Sequence, residues 1–128
     1  MTPDHPYYET KEQRLEKYGR CQECNQPNTT RNWCKSCNST RFRQAFSTWT
    51  SGNKEIDYFI QNTQIHAWRP ELILEWYQWE VFSEIEKIGK GGYGTVFRAR
   101  RKRGRIIGWD HQWIREEYYS KYVALKTI

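Results

Sequence analysis

The chain has 128 residues, enough for one small domain or two very small ones. Its formal net charge is +6, and the segment 98–105 carries six basic residues that equal this whole excess. The rest of the chain is therefore balanced in charge, which excludes a uniformly basic protein built to bind polyanions. Aromatic residues make up 16% of the chain, a content that disfavours intrinsic disorder.

The sequence has no apolar run of about 18 residues, and residues 1–10 lack the apolar core of a secretory signal. These features predict an intracellular protein, cytoplasmic or also nuclear, without a membrane partner. In such a reducing compartment, the four cysteines are more typical of metal ligands than of disulfide bonds.

Changes in composition along the chain predict four segments. Residues 1–18 are expected to form a loose tail and a short helix that stops at Gly19. Residues 19–40 contain the cysteines, and residues 41–78 predict a helical spacer. From residue 79 the apolar period changes from about 3.6 to about 2, so that residues 79–128 predict strands.

Two helices are predicted in and beside the spacer. Apolar spacing indicates the first over residues 40–49, and Asn53 is suited to cap a second one. The second helix is expected to run to about Ala67, before Pro70 ends it. The stripe that this helix should present to a core consists of Ile56, Phe59, Ile60 and Thr63.

The cysteines form two C-x-x-C pairs, Cys21 with Cys24 and Cys34 with Cys37. Two such pairs can surround one ion with four thiolates, which is the closed tetrahedral arrangement of structural zinc sites. The alternatives are two redox-active pairs or four free thiols. The doubled pair at this spacing favours a zinc ribbon over both.

The partner of this zinc ribbon is open to two interpretations. Basic and aromatic side chains surround the cysteines, as in zinc ribbons that bind nucleic acid: Arg20, Arg31, Trp33, Lys35, Arg41, Phe42 and Arg43. Four thiolates and one Zn²⁺ sum to −2, which offsets part of this positive charge. A structural clip or a protein-docking module is therefore the favoured role.

A glycine-rich turn lies between two predicted strands and fits G-x-G-x-x-G-x-V. Glycines there let a backbone turn tightly and bring its N–H groups close to phosphate oxygens. Dinucleotide-binding folds use the same glycine spacing before a helix, but here a strand-like stretch follows. The candidate nucleotide-binding residues of this turn are Ile88, Gly89, Lys90, Gly91, Gly92, Tyr93, Gly94 and Val96.

A second motif, Val-Ala-Leu-Lys, ends at Lys126 within a predicted strand over residues 122–128. The two motifs in this order resemble the N-terminal lobe of eukaryotic protein kinases. With the zinc ribbon before them, they resemble an expanded fungal family of tyrosine-kinase-like sequence. The resemblance implies that Lys126 contacts the ATP phosphates and that Ile88, Val96 and Ala124 surround the adenine.

The resemblance also implies ATP and magnesium as cofactors and phosphoryl transfer to a protein hydroxyl, with Ser/Thr expected as the acceptor. The kinase base, the magnesium ligands and the αC glutamate do not occur in these 128 residues. We therefore expect the chain by itself to be inactive in phosphoryl transfer. Val96 and Lys126 are 30 positions apart, which predicts an inserted segment that folds over the lobe in part.

The sequence as a whole predicts an α+β protein: a zinc-ribbon module, a helical spacer and the first three antiparallel strands of a kinase N-lobe. Its expected function is ATP binding within a protein kinase. The alternative is an adaptor that binds protein or nucleic acid through the zinc ribbon, with a relic kinase segment. The basic run at 98–105 fits a nuclear localisation patch, but a solvated loop is favoured.

Overall fold

The computed structural model describes residues 9–92, 94–117 and 122–127. It confirms an α+β chain with three helices and antiparallel sheets. The helices are α1 (Lys11–Tyr18), α2 (Lys35–Ala45) and α3 (Lys54–His66). The strands are β1 (Phe82–Gly91), β2 (Gly94–Arg101), β3 (Ile106–Trp109), β4 (Trp113–Arg115) and β5 (Tyr122–Lys126). Among the described residues, no helix combines the length and apolar character needed to span a membrane.

The chain divides into two compact units. The first unit contains the residues up to Trp76 together with Gly108–Trp113, and the second contains Tyr77–Ile107 and the residues from Ile114 onward. The inserted segment between β2 and β5 thus contributes to the first unit through Gly108–Trp113. The sequence suggested only that this insertion would fold over the kinase-like strands.

The predicted ends of α1 and α3 are confirmed. Thr10 and Gln13 form a reciprocal capping box, in which each side chain accepts the other residue's backbone N–H. Helix α1 ends at Gly19, whose φ of 74° suits a residue without a β-carbon. At the start of α3, the Asn53 side chain accepts the N–H groups of Glu55 and Ile56.

Two details of the helices differ from the sequence prediction. Helix α2 begins at Lys35 rather than near residue 40, so the second cysteine pair lies at its start, with Cys34 as the N-cap and Cys37 in the first turn. In α3, Ile60 and Gln64 are buried, whereas Phe59 of the predicted stripe is 63% exposed. The buried Gln64 is accommodated because its side-chain amide donates to the carbonyl of Leu74 at 2.8 Å.

Trp33 is the centre of the first unit, with no exposed surface. Its indole N–H donates to the carbonyl of Ala67 at 3.1 Å, which joins the cysteine segment to the end of α3. Thr29 donates to the carbonyl of Trp68 at 2.8 Å and strengthens the same connection. Helices α2 and α3 pack on each other around this core, to which Phe42 and Ile60 contribute.

The second unit is built on a three-stranded antiparallel sheet of order β1-β2-β5. In its register, Gly89 lies opposite Val96, and Val96 lies opposite Lys126. The strand predicted at the C-terminal end thus pairs with the strand that follows the glycine turn. Strands β3 and β4 form a separate two-stranded sheet that the sequence analysis did not predict.

The basic run at 98–105 is a solvated loop only in part, because β2 extends to Arg101, whereas Lys102, Arg103 and Arg105 are exposed outside the strands. It begins inside β2, where Arg98 pairs with Glu86 and Arg100 pairs with Glu84 across the β1–β2 ladder. Arg101 forms an ion pair with Glu116. Cross-strand pairs of opposite charge stabilise sheets modestly, so these arginines have a structural role in the second unit.

Among the described glycines of the turn, Gly94 is the one whose backbone conformation and packing require glycine. Its φ is 109°, and a β-carbon there would overlap the carbonyl oxygen of Thr127. At Gly89 a β-carbon would meet no described atom within 4 Å. The two positions therefore offer a matched pair of glycine-to-alanine substitutions.

We expect Gly94→Ala to destabilise the β2–β5 pairing by about 2 kcal/mol or more, because it combines backbone strain with a steric overlap. Gly89→Ala, the control, should cost less than about 1 kcal/mol. Amide hydrogen exchange in β2 and β5 measures both effects. Equal loss of protection in the two variants would contradict the assigned geometry.

Candidate metal centre and glycine loop

The four cysteine sulfurs lie in one cluster, all within 4.8 Å of one another. The Sγ atoms of Cys21 and Cys37 are 3.8 Å apart, and those of Cys24 and Cys34 are 3.7 Å apart. Four thiolates placed tetrahedrally at about 2.3 Å from a zinc ion would be separated by about 3.8 Å. The cluster can therefore hold a metal ion and is compatible with zinc, as the spacing predicted.

Two tight turns and a helix end bring these sulfurs together. Asn25 and Asn32 adopt positive φ values of 64° and 56°, which asparagine tolerates better than most residues. The first turn is closed by the N–H of Cys21 on the carbonyl of Gln26 at 2.8 Å. The second pair follows its turn directly, since Cys34 is the N-cap of α2 and Cys37 lies in the first helical turn.

The cysteines perturb one another because they are partly buried and close together. Burial opposes ionisation of Cys21, but the N–H groups of Cys24 and Glu23 donate to its sulfur, so its pKa is lowered. Burial raises the pKa of Cys34 to about 11, and burial also raises the pKa of Cys37. Four thiolates in this volume would therefore require a bound cation.

Arg41 belongs to the structure of this unit rather than to an open basic patch. It pairs with Glu23, which lies between the first two cysteines, and donates to the buried Asn38 side chain at 2.5 Å. Its guanidinium also lies over the ring of Trp109, 4.0 Å from the centroid. Among the basic residues that surround the cysteines in the sequence, Arg41 therefore already has partners within the chain.

An aromatic cluster adjoins the metal centre within the first unit. Trp113 stacks on Phe42 with 4.6 Å between the ring centroids and lies 6.1 Å from the ring of Trp33. Trp109 meets Trp113 edge-on at 5.0 Å. Because Trp33 directly precedes Cys34, a ligand of the cluster is fixed by the same packing that holds Gly108–Trp113.

The contribution of Trp109 and Trp113 to the first unit was not predicted from the sequence. The available signal was local: two tryptophans flank the polar segment 110–112, a pattern typical of a hairpin. Within that turn, the N–H of Asp110 donates to the carbonyl of Gln112 at 2.9 Å. The packing partners Trp33 and Phe42 lie about seventy positions earlier, too far for a periodicity argument to find.

The glycine turn lies between β1 and β2, as predicted from its strand context. At Gly89, Gly91 and Gly92, a β-carbon would meet no described atom within 4 Å. Packing among the described residues therefore does not explain why these three positions lack side chains. Tyr93, expected at the tip, lies outside the described residues.

The residues expected around an adenine are distributed over three adjacent strands of one sheet. Ile88 on β1 is 57% exposed, Val96 on β2 is half-buried and Ala124 on β5 is exposed. Val96 and Ala124 are diagonal neighbours, because Val96 pairs with Lys126 and Ala124 pairs with Arg98. Ile88, Val96 and Ala124 thus lie on adjacent strands of one sheet, whereas the cysteine cluster belongs to the other unit.

No protein-family model, curated protein or solved structure matches the chain.

We expect the purified chain to contain one zinc ion, measured by elemental analysis against protein concentration. Cys34→Ser should remove most of it, since hydroxyl oxygen is a poor zinc ligand and the remaining three thiolates leave the site open. The control is Ser36→Ala, because Ser36 lies between the two ligands of the same pair. This variant should retain the full zinc content. Zinc retained by Cys34→Ser would contradict the four-sulfur site.

Metal affinity should rise with pH. With a pKa of about 11 in the metal-free chain, the thiol of Cys34 is protonated near neutrality and must lose its proton when metal binds. Each proton released adds about ten-fold in affinity per pH unit. Competition with a chromophoric chelator between about pH 6 and about pH 8 measures the slope, and an affinity independent of pH would contradict thiolate ligation.

Proposed function

We propose that residues 79–128 are the ATP-binding front end of a protein kinase. The observation that carries the proposal is a row of register partners across the sheet, Gly89, Val96 and Lys126. In protein kinases a glycine-rich loop covers the ATP phosphates, and a lysine on the third strand contacts them. The strand order β1-β2-β5 gives this chain the neighbours that such a site needs.

The open space around the glycines of the turn supports the same proposal. Three of its glycines leave room where a β-carbon would touch no described atom. Backbone N–H groups in such a turn can approach phosphate oxygens without steric hindrance. Under this proposal Lys126 contacts the α- and β-phosphates, while Ile88, Val96 and Ala124 form the apolar wall around the adenine.

Phosphoryl transfer itself needs groups beyond those in these 128 residues. The base of the catalytic loop and the magnesium ligands belong to motifs that the sequence does not contain. The proposal for this chain is therefore nucleotide binding. Magnesium and a protein substrate with a Ser or Thr hydroxyl are proposed for the complete kinase.

For the cysteine cluster we propose a structural zinc ion. All four positions around the ion would be filled by protein sulfurs, which leaves no open coordination position for a substrate or an activated water. The burial of Cys34 and the fully buried Trp33 beside it support a stabilising role. The binding free energy of the zinc ion would contribute directly to folding of the first unit.

The proposed nucleotide site is tested by titrating the zinc-loaded chain with a fluorescent ATP analogue. Lys126→Met should weaken binding about ten-fold or more, because the phosphates lose a charge-assisted contact. Lys102→Met removes the same charge from an exposed position just after β2 and should change affinity less than about two-fold. Equal effects of the two variants would contradict a specific role for Lys126.

The same titration distinguishes this proposal from the alternative function, an adaptor in which the kinase-like strands are a relic. The observation that favours an adaptor is the pair Tyr58 and Phe59 on α3, which are 68% and 63% exposed. An adaptor would bind no ATP, and its partner binding would be lost on Tyr58→Ser or Phe59→Ser. Specific ATP binding that depends on Lys126 would exclude the relic reading.

A further inference from the structure

The first unit contains a recess of about 520 Å³ that is separate from the glycine turn. Four segments of this unit line it: Arg14 of α1, residues 26–29, one side of α2, and the end of α3 at Ile65 and His66. The lining residues of α2 used below are Lys35, Ser36, Ser39 and Arg43. We call this feature the basic recess.

Positive charge in the basic recess has no counterpart within its lining. Arg14, Lys35 and Arg43 line it, and no acidic residue is among the lining residues. None of these three side chains forms an ion pair with any residue that the structure describes. This differs from Arg41 on the same helix, whose charge is paired with Glu23.

Arg14 provides a second, independent indication. Its Nε atom is buried and has no hydrogen-bond partner among the described residues. A buried N–H of a charged group left without an acceptor is costly. The Nε atoms of Arg69 and Arg101 share this feature, but both of those guanidinium groups form ion pairs, whereas that of Arg14 forms none with the described residues. The hydroxyls of Ser36 and Ser39 add polar groups at the same recess.

We propose that the basic recess binds a phosphate monoester. The doubly charged phosphate matches converging cations, and guanidinium groups bind its oxygens in pairs. The recess has room for one phosphorylated side chain or a small phosphorylated molecule. A nucleic-acid strand would need a basic track along the surface, and Arg41 cannot contribute to one because it is already paired.

The metal centre bears on this charge balance because Cys34 also lines the recess. A zinc ion with four thiolates carries −2, which opposes an anion nearby. The three cations of the recess exceed this by one charge, and the N–H of Cys37 already donates to the sulfur of Cys34. The phosphate is therefore bound by side chains, because the backbone N–H at the N-terminus of α2 already donates to a cysteine sulfur.

The test uses the full zinc-loaded chain, titrated at constant ionic strength with inorganic phosphate, phosphoserine and a phosphoserine peptide, followed by two-dimensional amide NMR. We expect saturable shifts of Lys35, Ser36, Ser39 and Arg43. Tighter binding of the peptide would identify a phosphorylated side chain as the source, and tighter binding of the small anions would identify a free phosphate. Zinc content is measured before and after each titration.

Arg14→Gln and Arg43→Gln should each weaken binding about five-fold or more. Arg31→Gln removes the same charge from an exposed position outside the recess and should change affinity less than about two-fold. Arg43 is exposed, so its variant tests the site even if Arg14→Gln disturbs folding. Shifts that chloride reproduces, equal weakening by Arg31→Gln, or binding of single-stranded RNA without binding of phosphate would each overturn the proposal.

Discussion

The first unit depends on holding four sulfur atoms within 4.8 Å of one another. Four thiolates at this separation would repel one another strongly, and burial, which raises the pKa values of Cys34 and Cys37, further opposes their ionisation. A bound dication would offset both effects and would convert the cluster from a source of repulsion into a crosslink. Such a crosslink would also fix Trp33 and α2, because Cys34 lies between the buried tryptophan and the first residue of the helix.

The second unit depends on pairing within one small sheet. Strand β2 is paired on both sides, by β1 and by β5, and Gly94 allows the close approach to Thr127 at its start. Much of β1 remains exposed, including Ile88, so the sheet has apolar surface that the described residues leave uncovered. A bound nucleotide and further structure of a complete kinase would both cover such surface, as the proposed function requires.

The features that the sequence predicted correctly are those set by local chemistry. The spacing of Cys21, Cys24, Cys34 and Cys37 predicted one cluster, since short turns fix where each sulfur lies. Gly19 and Asn53 predicted helix ends because capping acts within a few residues. The features that the sequence did not predict depend on tertiary packing. Phe42 and Trp113 stack although they are 71 positions apart, and Arg98 forms an ion pair with Glu86 on a neighbouring strand. Neither contact leaves a periodic signal in the sequence.

The proposed contact of the glycine turn and Lys126 with the phosphates of ATP can be tested by chemical labelling. An acyl-phosphate derivative of ATP transfers its acyl group to a lysine amine lying against the phosphates, and peptide mass spectrometry locates the product. Acylation is expected to concentrate on Lys126, or on Lys126 and Lys90 of the turn, and excess ATP is expected to suppress it. Acylation spread over the exposed lysines of the chain and unaffected by ATP would contradict the proposed contact.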